Sequence, residues 1–362
     1  MEKDKIKVLV VDDSALMRSL IGKIIDSQDD MYVVGKAMNG SFALQKIPVL
    51  KPDIIILDIE MPEMNGIEFL REKDKKNIEI PVVVLSSIAQ KGARVTFEAL
   101  SSGASDFITK PTGEVSRNIS SVAEQLCSLI RAYTGHKLPV QRQPEERQSI
   151  PAAMPSEIKL KENLPVYPDT SKGQIEIITI GISTGGPNAL RYLLSKIKKD
   201  FRIPIVIVQH MPEGFTAEFA RSLGRTCPLE VKEAEDGDLI LPGRVLIAPG
   251  NRHIKVEKKR LGAIVTLNED EPVNGHRPSA GVLFKSAAGN YGNRVLGIIM
   301  TGMGKDGAAE IGEIYKAGGY TIAQDEESSV VFGMPRVAIE YGFIRKVLPL
   351  EEMADFITNL IN

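Results

Sequence analysis

Three aspartates and a lysine, each placed where an apolar run ends, carry the first chemistry of this chain. Asp12 and Asp13 follow KVLVV, Asp58 closes DIIILD, and Lys110 closes SDFITK. Adjacent carboxylates repel one another and are tolerated where a cation sits among them. Three of them make a hard oxygen site suited to Mg2+. An aspartate beside such an ion can attack a phosphoryl group and form an acyl phosphate, with a lysine as point charge for the phosphate oxygens. Taken singly, each aspartate reads as a helix cap or turn residue. That bland reading does not explain all of them standing at strand ends.

A second set is Ser183, His210 and Asp306, again each just past an apolar run. Gly181-Ile182-Ser183-Thr184-Gly185 matches the G-x-S-x-G pattern of a sharp strand-to-helix turn that exposes a nucleophilic serine. Amides at the following helix start would face developing negative charge. A glycine-rich turn could equally cradle a phosphate or dinucleotide, but no Walker lysine and no G-x-G-x-x-G accompany it. His210 ends IPIVIVQ, and alone would be a surface histidine. Asp306 follows VLGIIMTGMGK and is expected to start a helix running to Ala317; alone it would be an N-cap. Together the three fit a serine hydrolase triad, in which the acid orients the histidine and the histidine activates the serine. The order Ser, His, Asp differs from that of α/β-hydrolases, so the pattern does not license that fold.

The elements that must position these groups alternate in both halves. Strands are expected at 7–12, 32–37, 53–58, 81–86 and 105–110, separated by amphipathic helices. Runs such as IIIL and VVVL lack period-two alternation and suit strands buried on both faces of a parallel sheet. Repeated strand-helix units imply a doubly wound fold, whose sites form at the carboxyl ends of strands. Residues 136–173 hold prolines 139, 144, 151, 155, 165 and 168 and no period, and read as a semi-extended linker. From 174 to 362 the alternation resumes. The pieces LEVKEA, RVLIAPG, HIKVE and AIVTL are expected to form hairpins or an antiparallel edge. The fold class is therefore α/β with two doubly wound, mostly parallel sheets: a flavodoxin-like domain over 1–135, then a Rossmann-like domain with some antiparallel additions.

Composition bounds the alternatives. At 362 residues two domains are expected. With 25% charged residues and a net charge of −2 there is no basic field to favour nucleic acid. Cys127 and Cys227 form no metal or redox pattern and read as reduced thiols. No apolar run has the length of a signal core or a membrane span, so a cytoplasmic protein without membrane insertion is expected. Met211, Met300, Met303 and Met334 read as core or cleft filler. His136 is expected in water, and Lys258-Lys259-Arg260 at a hairpin tip.

VLVVDDSALMR, IIILDIEMPEMNG and ASDFITKP resemble the receiver domain of bacterial response regulators over roughly residues 5–130. The resemblance implies that Asp58 is the phosphoacceptor. It implies a Mg2+ site on Asp13 and Asp58, with Asp12 nearby and the Glu60 carbonyl as a further ligand. Ser86 would bond the phosphoryl group, Lys110 would pair with it, and Phe107 would be the aromatic switch. GISTGGP, VIVQHMPEGFT, RPSAGVLF and MTGMGKDG resemble the chemotaxis protein-glutamate methylesterase family, so that only the linker falls outside a match. This implies hydrolysis of glutamyl methyl esters on chemoreceptors, with methanol released, and deamidation of receptor glutamines in some members. Ser183 would attack, His210 act as base and acid, and Asp306 orient His210. Thr184 and Met303 would support the histidine and the oxyanion, and His276, Arg277 and Ser279 line the cleft. The chain departs from the family at Ala280-Gly281, where the family has Val-Asp. A histidine kinase would be the phosphodonor, and the receiver would block the esterase until Asp58 is phosphorylated. The rival reading is a phospho-switched receptor-binding scaffold. A DNA-binding output domain would need a helix-turn-helix and a basic face, and neither is visible.

Overall fold

The computed structural model describes residues 5–87, 90–110, 115–135 and 175–361. The expected proline-rich linker and His136 lie outside the described residues. Before it, strands and helices alternate as β1 (Ile6–Val11), α1 (Ala15–Asp26), β2 (Met31–Ala37), α2 (Gly40–Leu50), β3 (Ile54–Asp58), α3 (Gly66–Lys75), β4 (Val82–Ser86), α4 (Gln90–Ser101), β5 (Asp106–Thr109) and α5 (Val115–Tyr133). All neighbours pair in parallel, in the order β2-β1-β3-β4-β5. This is the flavodoxin-like order. Every residue of β3 and β4 is buried, as their unbroken apolar runs require. Local signals set the helix starts: Ser14 caps α1, Asn39 caps α2, and Asn65 with Glu68 forms a capping box on α3.

The second half runs β6 (Ile177–Ile182), α6 (Gly186–Lys196), β7 (Ile205–Gln209), α7 (Phe215–Gly224), β8 (Glu230–Glu233), β9 (Arg244–Ile247), β10 (His253–Lys259), β11 (Gly262–Asn268), α8 (Ala280–Tyr291), β12 (Val295–Ile299), α9 (Ile311–Lys316), β13 (Tyr320–Gln324), α10 (Met334–Glu340), β14 (Lys346–Leu348) and α11 (Leu350–Ile361). Seven strands form one parallel sheet in the order β14-β13-β12-β6-β7-β9-β8. Strand order reverses between β6 and β12, which makes their carboxyl ends the topological switch point where α/β sheets place ligands.

Two expectations are corrected. Of the four pieces expected at an antiparallel edge, HIKVE and AIVTL form the hairpin β10–β11. LEVKEA and RVLIAPG supply β8 and β9, which extend the main sheet in parallel. Short apolar runs reveal a strand but not its direction, which the crossover decides. The helix expected from Asp306 to Ala317 is confined to Ile311–Lys316, and residues 306–310 are turns. Gly307 is left-handed there, at φ +77°, which an α-helix does not accommodate.

The two sheets meet through an aromatic cluster. Phe107 of β5 stacks on Phe215 of α7 at 5.2 Å, and Phe97 of α4 stacks on Phe219 at 5.4 Å. Each fully buried Phe is worth roughly 1.5–3 kcal/mol of apolar transfer. Asn188 Nδ2 of α6 donates to the Ser105 carbonyl at 2.9 Å, and Arg191 Nη1 donates to the Leu100 carbonyl at 3.4 Å.

Candidate active site

Register brings Ser183 and His210 together. Ile182 of β6 pairs with Gln209 of β7, so the next residue on each strand leaves the sheet side by side. The His210 amide donates to the Ile182 carbonyl at 3.2 Å. Ser183 is fixed on three sides. Its amide donates to the Thr301 carbonyl, and its carbonyl accepts from the Gly186 amide and from Gln209 Nε2 at 2.9 Å. Thr301 in turn bonds the Thr184 carbonyl and is held at its own amide by Gln324 Oε1. Two glycines make the close packing possible. Gly185 is left-handed at φ +76°, and a Cβ on Gly302 would lie 2.8 Å from the Ser183 Cβ.

Asp306 reaches His210 across the switch point. Its Oδ2 lies 2.8 Å from His210 Nε2. Ser279 Oγ donates to Oδ1 at 2.6 Å, Asn274 Nδ2 to Oδ1 at 3.3 Å, and the Ala280 amide to Oδ2 at 2.7 Å. Asp306 therefore caps α8 and not the segment that follows it in sequence. Burial alone would raise its carboxyl, but the bonds from His210, Ser279 and Ala280 outweigh it and hold the group below the usual carboxylate range. An ionised carboxylate only accepts, so Nε2 carries the imidazole proton and Nδ1 keeps the lone pair. Nδ1 is buried with no hydrogen-bond partner, so no bond yet joins it to Ser183 Oγ. The two residues leave adjacent strand ends, and hydrogen bonds between a nucleophile and its base often tighten only with substrate bound.

His276 stacks on His210, with ring centroids 3.8 Å apart and planes 6° from parallel. Burial, then the charge of His210, push His276 down to about 4, so it is neutral at physiological pH. Thr184 and Met303 are half-buried beside Ser183 and in the loop leading to Asp306. Among the described residues the Thr184 amide donates to no protein group. Arg277 is tied to Asn251 Oδ1 and to the Glu269 carbonyl. Ser279, His253 and Asp306 make a second triad-like grouping, but Ser279 and His253 are wholly buried. There Ser279 Oγ bonds the carboxylate, and His253 Nδ1 accepts from the Ser279 amide. No ester can reach it.

Sequence reasoning missed Gln209, Thr301, Gln324 and Asn274, whose task is to fix backbone or carboxylate across long separations. For Gln209, Thr301 and Gln324 the available signal was a polar residue at or just past the end of a buried strand, while Asn274 lies in a turn before α8. At Gly281 the missing side chain leaves room for the Glu310 carboxyl, which lies 2.8 Å from where a Cβ would be.

The first sheet gathers its set as expected. One ligand atom from each of Asp12, Asp13 and Asp58 falls within 4.8 Å of the others. Lys110 Nζ lies 2.8 Å from Asp58 Oδ1 and 3.4 Å from Asp12 Oδ2. Asp12 Oδ2 is buried with the Lys110 ammonium at 3.4 Å and no hydrogen bond of good geometry, so it keeps lone-pair capacity that a hard cation would satisfy. Burial pushes Asp58 up against the pull of Lys110. Burial opposes the Lys110 charge, yet its bond to Asp58 raises it overall. Glu60 follows in the β3–α3 loop with its side chain in water. Ser86 is buried at the end of β4 and accepts from Thr96 Oγ1 at 2.5 Å. Phe107 points into the contact between the sheets.

Comparison with known proteins agrees with this geometry. A family model described as CheB methylesterase matches residues 178–357, and one described as response regulator receiver domain matches residues 8–117. The protein-glutamate methylesterase/protein-glutamine glutaminase of Treponema denticola is 55% identical over 97% of each chain. That of Treponema pallidum is 46% identical over 96% of this chain and 95% of its own. The crystal structure of the Thermotoga maritima CheB methylesterase catalytic domain matches with a TM-score of 0.51 and 40% identity, covering 51% of this chain and 98% of that one. With a carboxylate-held histidine beside a serine at the switch point, and relatives this similar along nearly the whole length, the chain belongs to the CheB methylesterase family, with a receiver domain at its N-terminus.

Proposed function

We propose that this chain is a phosphorylation-controlled protein-glutamate methylesterase and protein-glutamine glutaminase acting on chemoreceptors. The carrying observation is the 2.8 Å contact between Asp306 and His210 Nε2, which leaves Nδ1 unpartnered on the residue whose strand end pairs with that of Ser183. Ser183 Oγ attacks the ester carbonyl while its proton passes to His210 Nδ1. The oxyanion so formed is met by the Thr184 amide at the head of α6, with Met303 beside it. Collapse expels methoxide, which takes the proton from His210 and leaves as methanol. Water then attacks the acyl-enzyme, His210 takes its proton, and the product is glutamate with Ser183 restored. An amide substrate follows the same path and releases ammonia. Asp306 stabilises the transient imidazolium, and His276 fixes its plane.

The domain division is 1–135, 136–173 and 174–362. In the receiver, Asp58 accepts a phosphoryl group from a histidine kinase. Asp12, Asp13, Asp58 and the Glu60 carbonyl would hold Mg2+, which when bound supplies charge neutralisation for the incoming phosphoryl group. Lys110 then pairs with the phosphate and Ser86 bonds it. Before phosphorylation the receiver restricts the esterase, consistent with the Phe97, Phe107, Phe215 and Phe219 cluster. Among the described residues no helix is long and apolar enough to cross a membrane. A cytoplasmic site of action matches receptor helices as substrate.

The test is methanol release from methylated chemoreceptor, with and without Mg2+ and acetyl phosphate. Release should rise with phosphodonor, vanish in Ser183→Ala and lose only its stimulation in Asp58→Asn. No release from folded protein under any condition would instead favour the receptor-binding scaffold.

A further inference from the structure

Helix α6, which begins three residues after Ser183, has no side-chain cap of its own. Its N-cap is Gly185, and Pro187 contributes no amide hydrogen. The cap comes from the other domain: Asp106 Oδ2, at the start of β5, accepts from the Gly185 amide at 3.0 Å. Asp106 is 5% exposed. Its further donors are the Phe107 amide at 2.8 Å and Tyr133 Oη at 3.2 Å, all neutral groups. Burial pushes its carboxyl up to about 6 against these bonds, so at neutral pH it is mainly ionised.

We infer that Asp106 is an electrostatic brake on the esterase, a receiver carboxylate placed at the helix end that must stabilise the oxyanion of the Ser183 reaction. The helix N-terminus carries a partial positive charge that favours one anion. With Asp106 bonded one amide beyond Thr184, a second negative charge developing at Thr184 is opposed by the first. Inhibition then acts on the transition state and not only on access to the cleft. The coupling to phosphorylation is short. The strand that starts with Asp106 runs straight into Lys110, which bonds Asp58 at 2.8 Å. This inference rests on the reading of Ser183 as nucleophile.

The test uses the full chain carrying Asp58→Asn, so that phosphorylation plays no part, and measures kcat and KM on methylated receptor. Asp106→Asn keeps an acceptor for Gly185 but removes the charge, and should raise kcat roughly tenfold with KM changed less than twofold. Asp106→Ser should do the same, which guards against one variant failing to fold, while Asp106→Glu stays inhibited. Asn188→Ala loosens the same contact without altering charge, and should change kcat less than threefold. Equal kcat in the parent and both neutral variants would overturn the brake. So would Asn188→Ala matching Asp106→Asn, since loosening rather than charge would then release the enzyme. Adding Ser183→Ala to Asp106→Asn should abolish turnover. Persistent turnover there would remove the nucleophile reading itself, and the brake with it.

Discussion

Two buried aspartates, Asp58 and Asp306, sit in opposite surroundings, which suit the different roles proposed for them. Asp306 is wholly buried and takes four protein contacts, from His210, Ser279, Asn274 and Ala280. It is held ionised and in one orientation. Asp58 is nearly as buried, yet among the described residues its side chain bonds Lys110 and the Ile59 amide alone, and burial pushes it up. It lies beside Asp12, whose Oδ2 makes no hydrogen bond and has the Lys110 ammonium at 3.4 Å. A carboxylate that must orient a partner is saturated with donors, while one that must react keeps capacity for a cation and a phosphoryl group.

Removing the charge at each aspartate separates the two roles. Asp306→Asn should lower kcat by about 10^3–10^4, because an amide no longer selects the tautomer that leaves Nδ1 free. Methanol release with fold checked by circular dichroism measures this, and a loss below tenfold would break the assignment. Asp58→Asn should abolish stimulation by acetyl phosphate while leaving basal release within twofold, read in the same assay. Thinning the donor shell should have a smaller effect. Ser279→Ala leaves Asp306 Oδ1 short of one donor, costing about 1–3 kcal/mol of stability. It should lower kcat roughly tenfold and raise the Asp306 pKa, seen as a shifted acid limb of the rate profile.

The smallest effect concerns the histidine beneath the pair. His276 has its pKa depressed to about 4 from an ordinary 6.5. The folded state therefore binds fewer protons than the unfolded one between these values. The stability this contributes is present above pH 6.5 and is lost as pH falls towards 4. His276→Gln should flatten that part of the stability profile, measured by denaturant midpoints between pH 7 and 4.5. An unchanged slope would show that His276 does not titrate in this window.

Much of this was legible beforehand. IIIL, VVVL and IITIGI announce buried parallel strands, and the chemical residues at their ends announce a site. Direction and termination were less legible. RVLI reads the same in either orientation, and Asp306 reads as the cap of the next helix in sequence. Its true helix is α8, some 26 residues earlier, because the parallel pairing of β12 beside β6 brings that end close.

The sequence by itself determined the alternation of elements, the two chemical sets and their association with strand ends. Those follow from side-chain periodicity and local backbone preference. The tertiary structure alone decided which nitrogen of His210 meets Asp306, which of Ser183 and Ser279 is shut away from solvent, and that Asp106 caps the helix behind Ser183. The first and the last depend on hydrogen bonds between residues 96 and 79 apart in sequence, and the second on the burial of Ser279, all of which only packing can bring about.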